Sequence, residues 1–304
     1  MPLIIPNELP ASETLQSENI FTMEVGRSTT QDIRPLKIVI VNLMPTKIAT
    51  ETQLARVLSN SPLQVEMGSH ESTHISQEHM DSFYKTIDEI KDEYFDGMIL
   101  TGAPVEKLPY EEVDYWKELC EIFEFAKKKV YSSMFICWGA QAALYYHYGI
   151  DKHILDKKVF GVFEHRVLRP HNPLVRGFDE IFYAPHSRYT EVRREDIEKE
   201  PALRILADSR EVGPHIISTE NGRQIFVMGH QEYDKGTLAG EYRRDAGKGL
   251  DTAVPENYFR NDDPDDEIMF RWRSHASLLF SNWLNYYVYQ NTPYDLSAIK
   301  GMSE

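Results

Sequence analysis

The sequence is short of cysteine: there are two, Cys120 and Cys137, in 304 residues. A secreted fold stapled by disulfides needs more of them in a shorter chain, so a reducing compartment is expected. Long apolar runs are missing too. The most apolar stretch, around Met134 to Ile150, is broken by Gln141 and His147 and falls short of the roughly 20 residues of a membrane span. The first residues hold no signal-like run, and the expected location is the cytoplasm. Positive charge is scarce: 33 Lys and Arg face 48 Asp and Glu, for a formal charge of −15. Phosphate contacts draw on Lys and Arg, so neither nucleic acid nor an anionic membrane is an expected partner. No Gly-rich phosphate loop is present, which removes nucleotide hydrolysis. What the chain does have is a hydrophobic fraction of 41% with 12% aromatics, enough for a large core, and disorder is excluded.

The apolar material alternates in a readable way. Leu36–Leu43 is a β-branched run of the kind buried on both faces of a parallel sheet. Helical spacing follows through Leu54, Val57 and Leu58, then a short strand LQVEM. A helix capped by Ser76 is expected to carry Met80, Phe83, Ile87 and Ile90. Phe95–Pro104 reads as a third strand, Glu111–Lys129 as an amphipathic helix, Val130–Ile136 as a fourth strand and Trp138–Tyr148 as a helix. This βα repetition is the signature of an α/β fold with a doubly wound, mostly parallel, flavodoxin-like sheet. From Lys158 onward short strand-like pieces dominate, so the second half is β-rich, before two helices at Gly236–Lys248 and Arg271–Tyr289. No Gly/Ser-rich or Pro-rich linker divides the chain. The expected organisation is an irregular N-terminal arm (1–35), a single α/β domain (36–296) and a C-terminal tail (297–304).

The strongest local signal is YSSMFICWGAQAALYY. An apolar strand runs into Cys137 and a small-residue helix start follows at once, the strand–nucleophile–helix elbow. A buried structural cysteine is the commoner fate of an isolated one, and Cys120, mid-helix, is read that way. Cys137 instead falls at the carboxyl end of a parallel strand, where open α/β sheets place ligands. The helix N-terminus favours a thiolate, and its N–H groups, that of Trp138 in particular, suit an oxyanion. A nucleophile needs a base and the base an orienter. Gly229-His230-Gln231-Glu232 supplies both, because His230 and Glu232 stand two residues apart after the strand RQIFVM and can reach each other.

The pairing of Ile136-Cys-Trp-Gly-Ala-Gln with a downstream Gly-His-x-Glu resembles the Cys–His–Glu triad of class I glutamine amidotransferase-like folds. More specifically, the chain resembles homoserine O-acyltransferases of the methionine-pathway type. The matching stretches include Asn42-Leu-Met-Pro-Thr-Lys47, Thr101-Gly-Ala-Pro-Val-Glu106, Ala184-Pro-His-Ser-Arg188, Asn257-Tyr-Phe and Ser281-Asn-Trp-Leu-Asn-Tyr-Tyr, and they span nearly the whole sequence. The resemblance implies an acyl-CoA co-substrate, an acyl-Cys137 intermediate, L-homoserine as acceptor, His230 as base and Glu232 as its orienter. It places substrate contacts on Lys158, Ser187 and Arg244; an Arg suits a two-pronged grip on a carboxylate. It also places Glu106 against the acyl group, where a carboxylate would fill space and repel succinate, so acetyl-CoA is the expected donor and succinyl-CoA the alternative. The second oxyanion donor is sought in the Asn42–Lys47 loop, with Lys47 as the candidate beside Trp138. No tightly bound cofactor and no metal are expected. A homodimer is the expectation from the aromatic C-terminal helix and the family. The chain departs from the family with Gln231 where Pro is common, Ser277 where Asn is common, and a shorter stretch between Val65 and His79.

Two patterns are set aside. His70-Glu71-Ser72-Thr73-His74 fits a zinc-protease pattern, but Gly68-Ser69 before it and Ser72-Thr73 within it deny it a stable helix. The acidic run 261–267 lacks the spacing and Gly of a calcium loop. A glutamine-hydrolysing amidotransferase subunit stays open as a second enzyme reading, because it would use the same elbow and triad.

Overall fold

Strands that are buried on both faces stack side by side only if helices cover both sides of the sheet. In the computed structural model this holds for the first half of the chain. The structure describes residues 3–5, 9–17, 22–24, 34–59, 63–68 and 82–302. Strands β1 (Leu3–Ile5), β2 (Thr22–Glu24), β3 (Leu36–Val41), β4 (Leu63–Gly68), β6 (Phe95–Leu100), β7 (Val130–Ile136) and β12 (Gln224–Val227) run parallel in the order β2-β1-β4-β3-β6-β7-β12. A two-residue strand, β5 (Tyr84–Lys85), pairs with β4. Beyond β12 the sheet turns antiparallel through β11 (Gly213–Thr219), β10 (Leu203–Ser209), β8 (His153–Val167) and β9 (Ile181–Glu191). The β-rich second half therefore extends the same twelve-stranded sheet.

Two apolar clusters cover the two faces. On one, Leu54 and Leu58 of α2 (Lys47–Leu58) meet Leu279, Phe280 and Trp283 at the end of α8 (Arg273–Asn282). On the other, Leu119, Phe123 and Ala126 of α4 (Trp116–Lys129) pack on Phe135 and on α5 (Trp138–Tyr148). Helix α4 presents these residues at helical spacing and closes on Lys127, Lys128 and Lys129, cations placed well against the carbonyl end. Helix α5 stops at Gly149, whose φ of 65° is the left-handed stop that Gly accepts most cheaply. The last two helices are α7 (Thr237–Gly247) and α8, which runs on as a π-helical segment, Trp283–Tyr289. Trp283 and Tyr287 of the aromatic stripe are buried in this chain's own core, while Tyr289 is exposed.

Two expectations need correction. The described parts of 1–35 are not an irregular arm: β1 and β2 extend the sheet beyond β4, and α1 (Ala11–Ser17) buries Leu15 in the core. The helix expected from Ser76 through Ile90 does not run through its described part. Tyr84 and Lys85 pair with Met67 and Gly68, and a Thr86 capping box starts a separate short helix, α3 (Ile87–Ile90). Edge pairing outcompetes the apolar spacing. Ser76 itself, the His70–His74 pattern and most of the shortened 65–79 stretch lie outside the described residues.

The carboxylate of Asp96, on β6, is fully buried and accepts both Arg34 Nη1 and Nη2 at 2.9 Å and the Lys37 amide at 2.6 Å. It pins the chain entering β3 to β6. Asp96→Ala leaves that amide and a half-buried guanidinium without their acceptor and lowers stability by about 3 kcal/mol, read as a shift of the urea midpoint. A midpoint unchanged within error contradicts this assignment.

Candidate active site

Cys137 leaves the end of β7 with φ 53° and ψ −119°, outside the regions L-residues prefer, and α5 begins at the next residue. Its N–H donates to Val227 O of β12 at 2.7 Å. The turn is this sharp because Gly139 has no side chain: a Cβ there would lie 2.5 Å from Thr101 O. The loop after β6 thereby lies along the nucleophile, and a Cβ on Gly102 would sit 3.7 Å from Cys137 Sγ and 3.6 Å from His230 Cε1. Thr101 Oγ1 accepts the Leu43 amide at 2.8 Å, which draws the loop after β3 to the same edge.

His230 comes three residues beyond Val227, the end of β12, and its amide donates to Pro185 O of β9 at 2.8 Å. Its Nδ1 is 2.7 Å from Glu232 Oε1, which leaves the Nε2 edge of the ring for Cys137, the two lying together beside Gly102. The ring also stacks on Tyr233, centroids 4.1 Å apart and planes 15° from parallel. Burial alone would lower the pKa of His230, but Cys137 and Glu232 outweigh it and hold the pKa well above 6.5. A positively charged imidazolium is thus favoured beside the Cys137 side chain, and a group in that state has a proton to give.

A cavity of 410 Å³ opens over the pair, lined by Cys137, His230, Glu106, Lys158, Ser187 and Arg244. All six were singled out from the sequence. Glu232 lies behind His230, buried. Lys158 Nζ stands 4.0 Å from the centre of the Phe160 ring and 3.7 Å from Glu241 Oε2. Ser187 Oγ donates to that same oxygen at 2.6 Å, and burial, then the charge of Glu241, hold the pKa of the Tyr233 phenol well above its ordinary value. Arg244 is half exposed beside Asp245. Glu241 and Tyr233, both at the cavity wall, escaped the sequence reading. The available signal for Glu241 was its position three residues before Arg244, which puts an acid and a base on one helix face. Glu106 accepts the Tyr189 amide at 2.9 Å; burial pushes its pKa up, against that bond and the charges of Lys158 and Arg188.

The sequence profile of the homoserine O-succinyltransferase family matches residues 2–294. The chain is 62% identical to a homoserine O-acetyltransferase of Clostridium novyi, over 97% of this chain and 99% of that one. It is 58% identical to one of Acetivibrio thermocellus, over 99% and 100%. The chain belongs to the homoserine O-succinyltransferase family. Among solved structures, a glutamine amidotransferase from Thermotoga maritima superposes with a TM-score of 0.52 at 9% identity, covering 83% of this chain and 98% of that one. A second, from Methylobacillus flagellatus, gives 0.51 at 13% identity, covering 83% and 95%. These likenesses show the class I amidotransferase-like fold, as the Cys137 elbow and the downstream Gly-His-x-Glu led one to expect.

Of the two oxyanion candidates in this family member, the structure separates one from the other. Trp138 is the first residue of α5, directly after Cys137, and its indole is buried near Tyr110 and Tyr115. Lys47 does not line the cavity. Its Nζ donates to Asn42 O at 2.6 Å and lies 5.3 Å from the Tyr84 ring centre, and burial pulls its pKa down to about 8. It braces the loop from beneath, and Met44 and Pro45 of that loop reach the cavity.

Behind His230 lie three fully buried histidines, His165, His186 and His215, with ring nitrogens close enough to suggest a metal. The hydrogen bonds argue otherwise. Arg188 Nε is 3.4 Å from His186 Nδ1 and can only donate, so His186 carries its proton on Nε2 and gives it to His165 Nε2 at 3.1 Å; His165 Nδ1 then donates to Phe163 O at 2.9 Å. A cation here would face a buried guanidinium, with no carboxylate in the cluster to offset it. Gln231 Nε2 reaches His215 Nε2 at 3.3 Å, so the residue standing where the family commonly has Pro is tied into this cluster.

Burial, reinforced by Arg188, holds His165 down to about 3 and His186 and His215 well below 6.5. Below the ordinary value of 6.5 the unfolded chain binds protons that these rings refuse, so their contribution to stability is present above that pH and is lost as pH falls. Each ring accounts for up to about 1.4 kcal/mol per pH unit in that window. Urea midpoints taken from about pH 7.5 to about pH 5.5 fall accordingly, and His215→Phe flattens the slope by roughly one proton. An unchanged slope in that variant contradicts the neutral cluster.

Proposed function

We propose that this chain transfers an acetyl group from acetyl-CoA to the hydroxyl of L-homoserine through a thioester on Cys137. The observation that carries the reading is the meeting on one cavity of Cys137 and His230, with Glu232 behind the ring, and the Arg244–Glu241 pair. A free α-amino acid presents a carboxylate and an ammonium, and Arg244 and Glu241, three residues apart on α7, match those charges in order. The near full-length relatives named homoserine O-acetyltransferase support the same assignment.

In the first half-reaction the Cys137 sulfur attacks the thioester carbonyl carbon. The tetrahedral oxyanion is met by the Trp138 N–H, a kind of contact worth about 3 kcal/mol to a transition state. The carbon–sulfur bond to CoA breaks, and the His230 imidazolium gives its proton to the departing thiolate. In the second, neutral His230 takes the proton of the homoserine hydroxyl as its oxygen attacks acyl-Cys137, and the Cys137 thiolate leaves. Glu232 holds Nδ1 throughout, so that Nε2 faces the reacting atoms. Nothing in this sequence calls on a tightly bound cofactor; acetyl-CoA is consumed.

Glu106 sets the donor. Its side chain is anchored at the cavity wall, where it occupies volume and opposes a second carboxylate on the acyl group. Initial rates with both substrates varied are expected to give the parallel reciprocal plots of a ping-pong mechanism with acetyl-CoA. Glu106→Gly is expected to raise the succinyl-to-acetyl ratio of kcat/KM by about 100-fold. Glutamine hydrolysis in place of acyl transfer would overturn the reading in favour of an amidotransferase. Arg244→Ala is expected to raise KM for homoserine by about tenfold or more while leaving the rate of Cys137 acylation in place, since the acceptor enters only the second half-reaction.

A further inference from the structure

Glu106 sits on a loop, and a loop carboxylate selects a donor only if something fixes it. The structure shows what does. Glu106 Oε2 accepts the Tyr189 amide at 2.9 Å and lies 3.4 Å from Thr190 Oγ1. Thr190, fully buried on β9, is itself clamped. Its carbonyl accepts Arg188 Nη1 at 2.6 Å and Gln141 Nε2 at 3.2 Å, while its hydroxyl is 2.7 Å from Gln141 Oε1. The amide of Gln141 can be oriented only one way here, because its NH₂ end must face the Thr190 carbonyl. Oε1 is then an acceptor, and the Thr190 hydroxyl proton points to it. Gln141 lies on α5, one turn after Cys137, with its amide donating to Cys137 O at 3.1 Å.

We infer that Thr190 and Gln141 are positioning residues for donor selection: their reciprocal hydrogen bonds fix the β9 edge that holds Glu106 and register that edge against the helix carrying the nucleophile. This rests on the reading of Glu106 as donor selector. The link matters because the two halves of the acyl site come from different elements. Glu106 comes from the loop after β6 and Cys137 from the β7–α5 elbow, and the distance between carboxylate and sulfur decides which acyl group fits. Thr190 touches both sides at once, with Glu106 and Gln141 on the same oxygen. With valine in its place the methyl group leaves Gln141 Oε1 buried without a donor, which loosens the β9 edge from α5 and with it the Tyr189 amide that holds Glu106.

The test is kcat/KM for acetyl-CoA and succinyl-CoA in the wild type, Glu106→Gly, Thr190→Val, Thr190→Ser and the Glu106→Gly/Thr190→Val double variant. The expected result is a succinyl-to-acetyl ratio raised about tenfold by Thr190→Val, restored to within about twofold of wild type by Thr190→Ser, and unchanged by Thr190→Val once Glu106 is Gly. A general loss of packing would lower both rates together and leave the ratio alone. If Glu106→Gly shifts the ratio and Thr190→Val does not, the positioning role is refuted while the selector stands. A Thr190→Val shift that persists without Glu106 also refutes it. If Glu106→Gly itself leaves the ratio unmoved, the selector reading fails, and the inference falls with it.

Discussion

The backbone at Cys137 stands where a side-chain-bearing residue rests uneasily, at a strain of about 1–3 kcal/mol, and the surrounding structure is arranged to hold it there. Its amide is bonded to the strand on one side, β12, and Gly139 is pressed on the carbonyl of Thr101 at the end of the strand on the other, β6. Three parallel strands therefore have to end at the same level. That requirement brings the loops after β6 and β12 together, and the Leu43 amide bonded to Thr101 Oγ1 draws in the loop after β3, so that Met44, Gly102 and His230 share one cavity with Cys137. The antiparallel extension serves the same end, since β9 receives the His230 amide at Pro185 and brings Ser187 and Tyr189 to the cavity.

Histidine appears in this centre in two opposite roles, separated by a few ångströms of packing. His230 lies against Cys137 and Glu232, and their negative charge outweighs the cost of burying an imidazolium. His165, His186 and His215 share the same burial but face Arg188, and they stay neutral. The neutral three form a rigid floor: a Cβ on Gly229 would come within 2.8 Å of His186 Nε2, so the residue before the base sits directly on that ring. His230 is thus held from beneath by groups that stay neutral near neutral pH.

Much of this was legible because the signals are local. An apolar strand ending in Cys-x-Gly announces an elbow, and His-x-Glu after a strand announces a base with its orienter, without reference to the rest of the chain. What stayed hidden depends on neighbours distant in sequence. Glu241 and Tyr233 gain their meaning only when β9 brings Ser187 beside them. Lys47 carries the right charge on the right loop, yet its ammonium is turned to Asn42 O. The first strands, β1 and β2, have three residues each, too few for any periodicity to show, and they exist because β4 offers a free edge. Phe83, Ile87 and Ile90 have true helical spacing, but pairing at Tyr84–Lys85 interrupts it.

The central claim is that the acyl group rests on Cys137 between donor and acceptor. It is tested most directly by intact-protein mass after mixing with acetyl-CoA in the absence of homoserine, followed by addition of homoserine, with Cys137→Ala alongside. One added acetyl group on the wild type, absent from Cys137→Ala and discharged when homoserine is added, is the predicted result. Turnover of acetyl-CoA and homoserine by Cys137→Ala at the wild-type rate, or an adduct on the wild type that homoserine does not discharge, would contradict it.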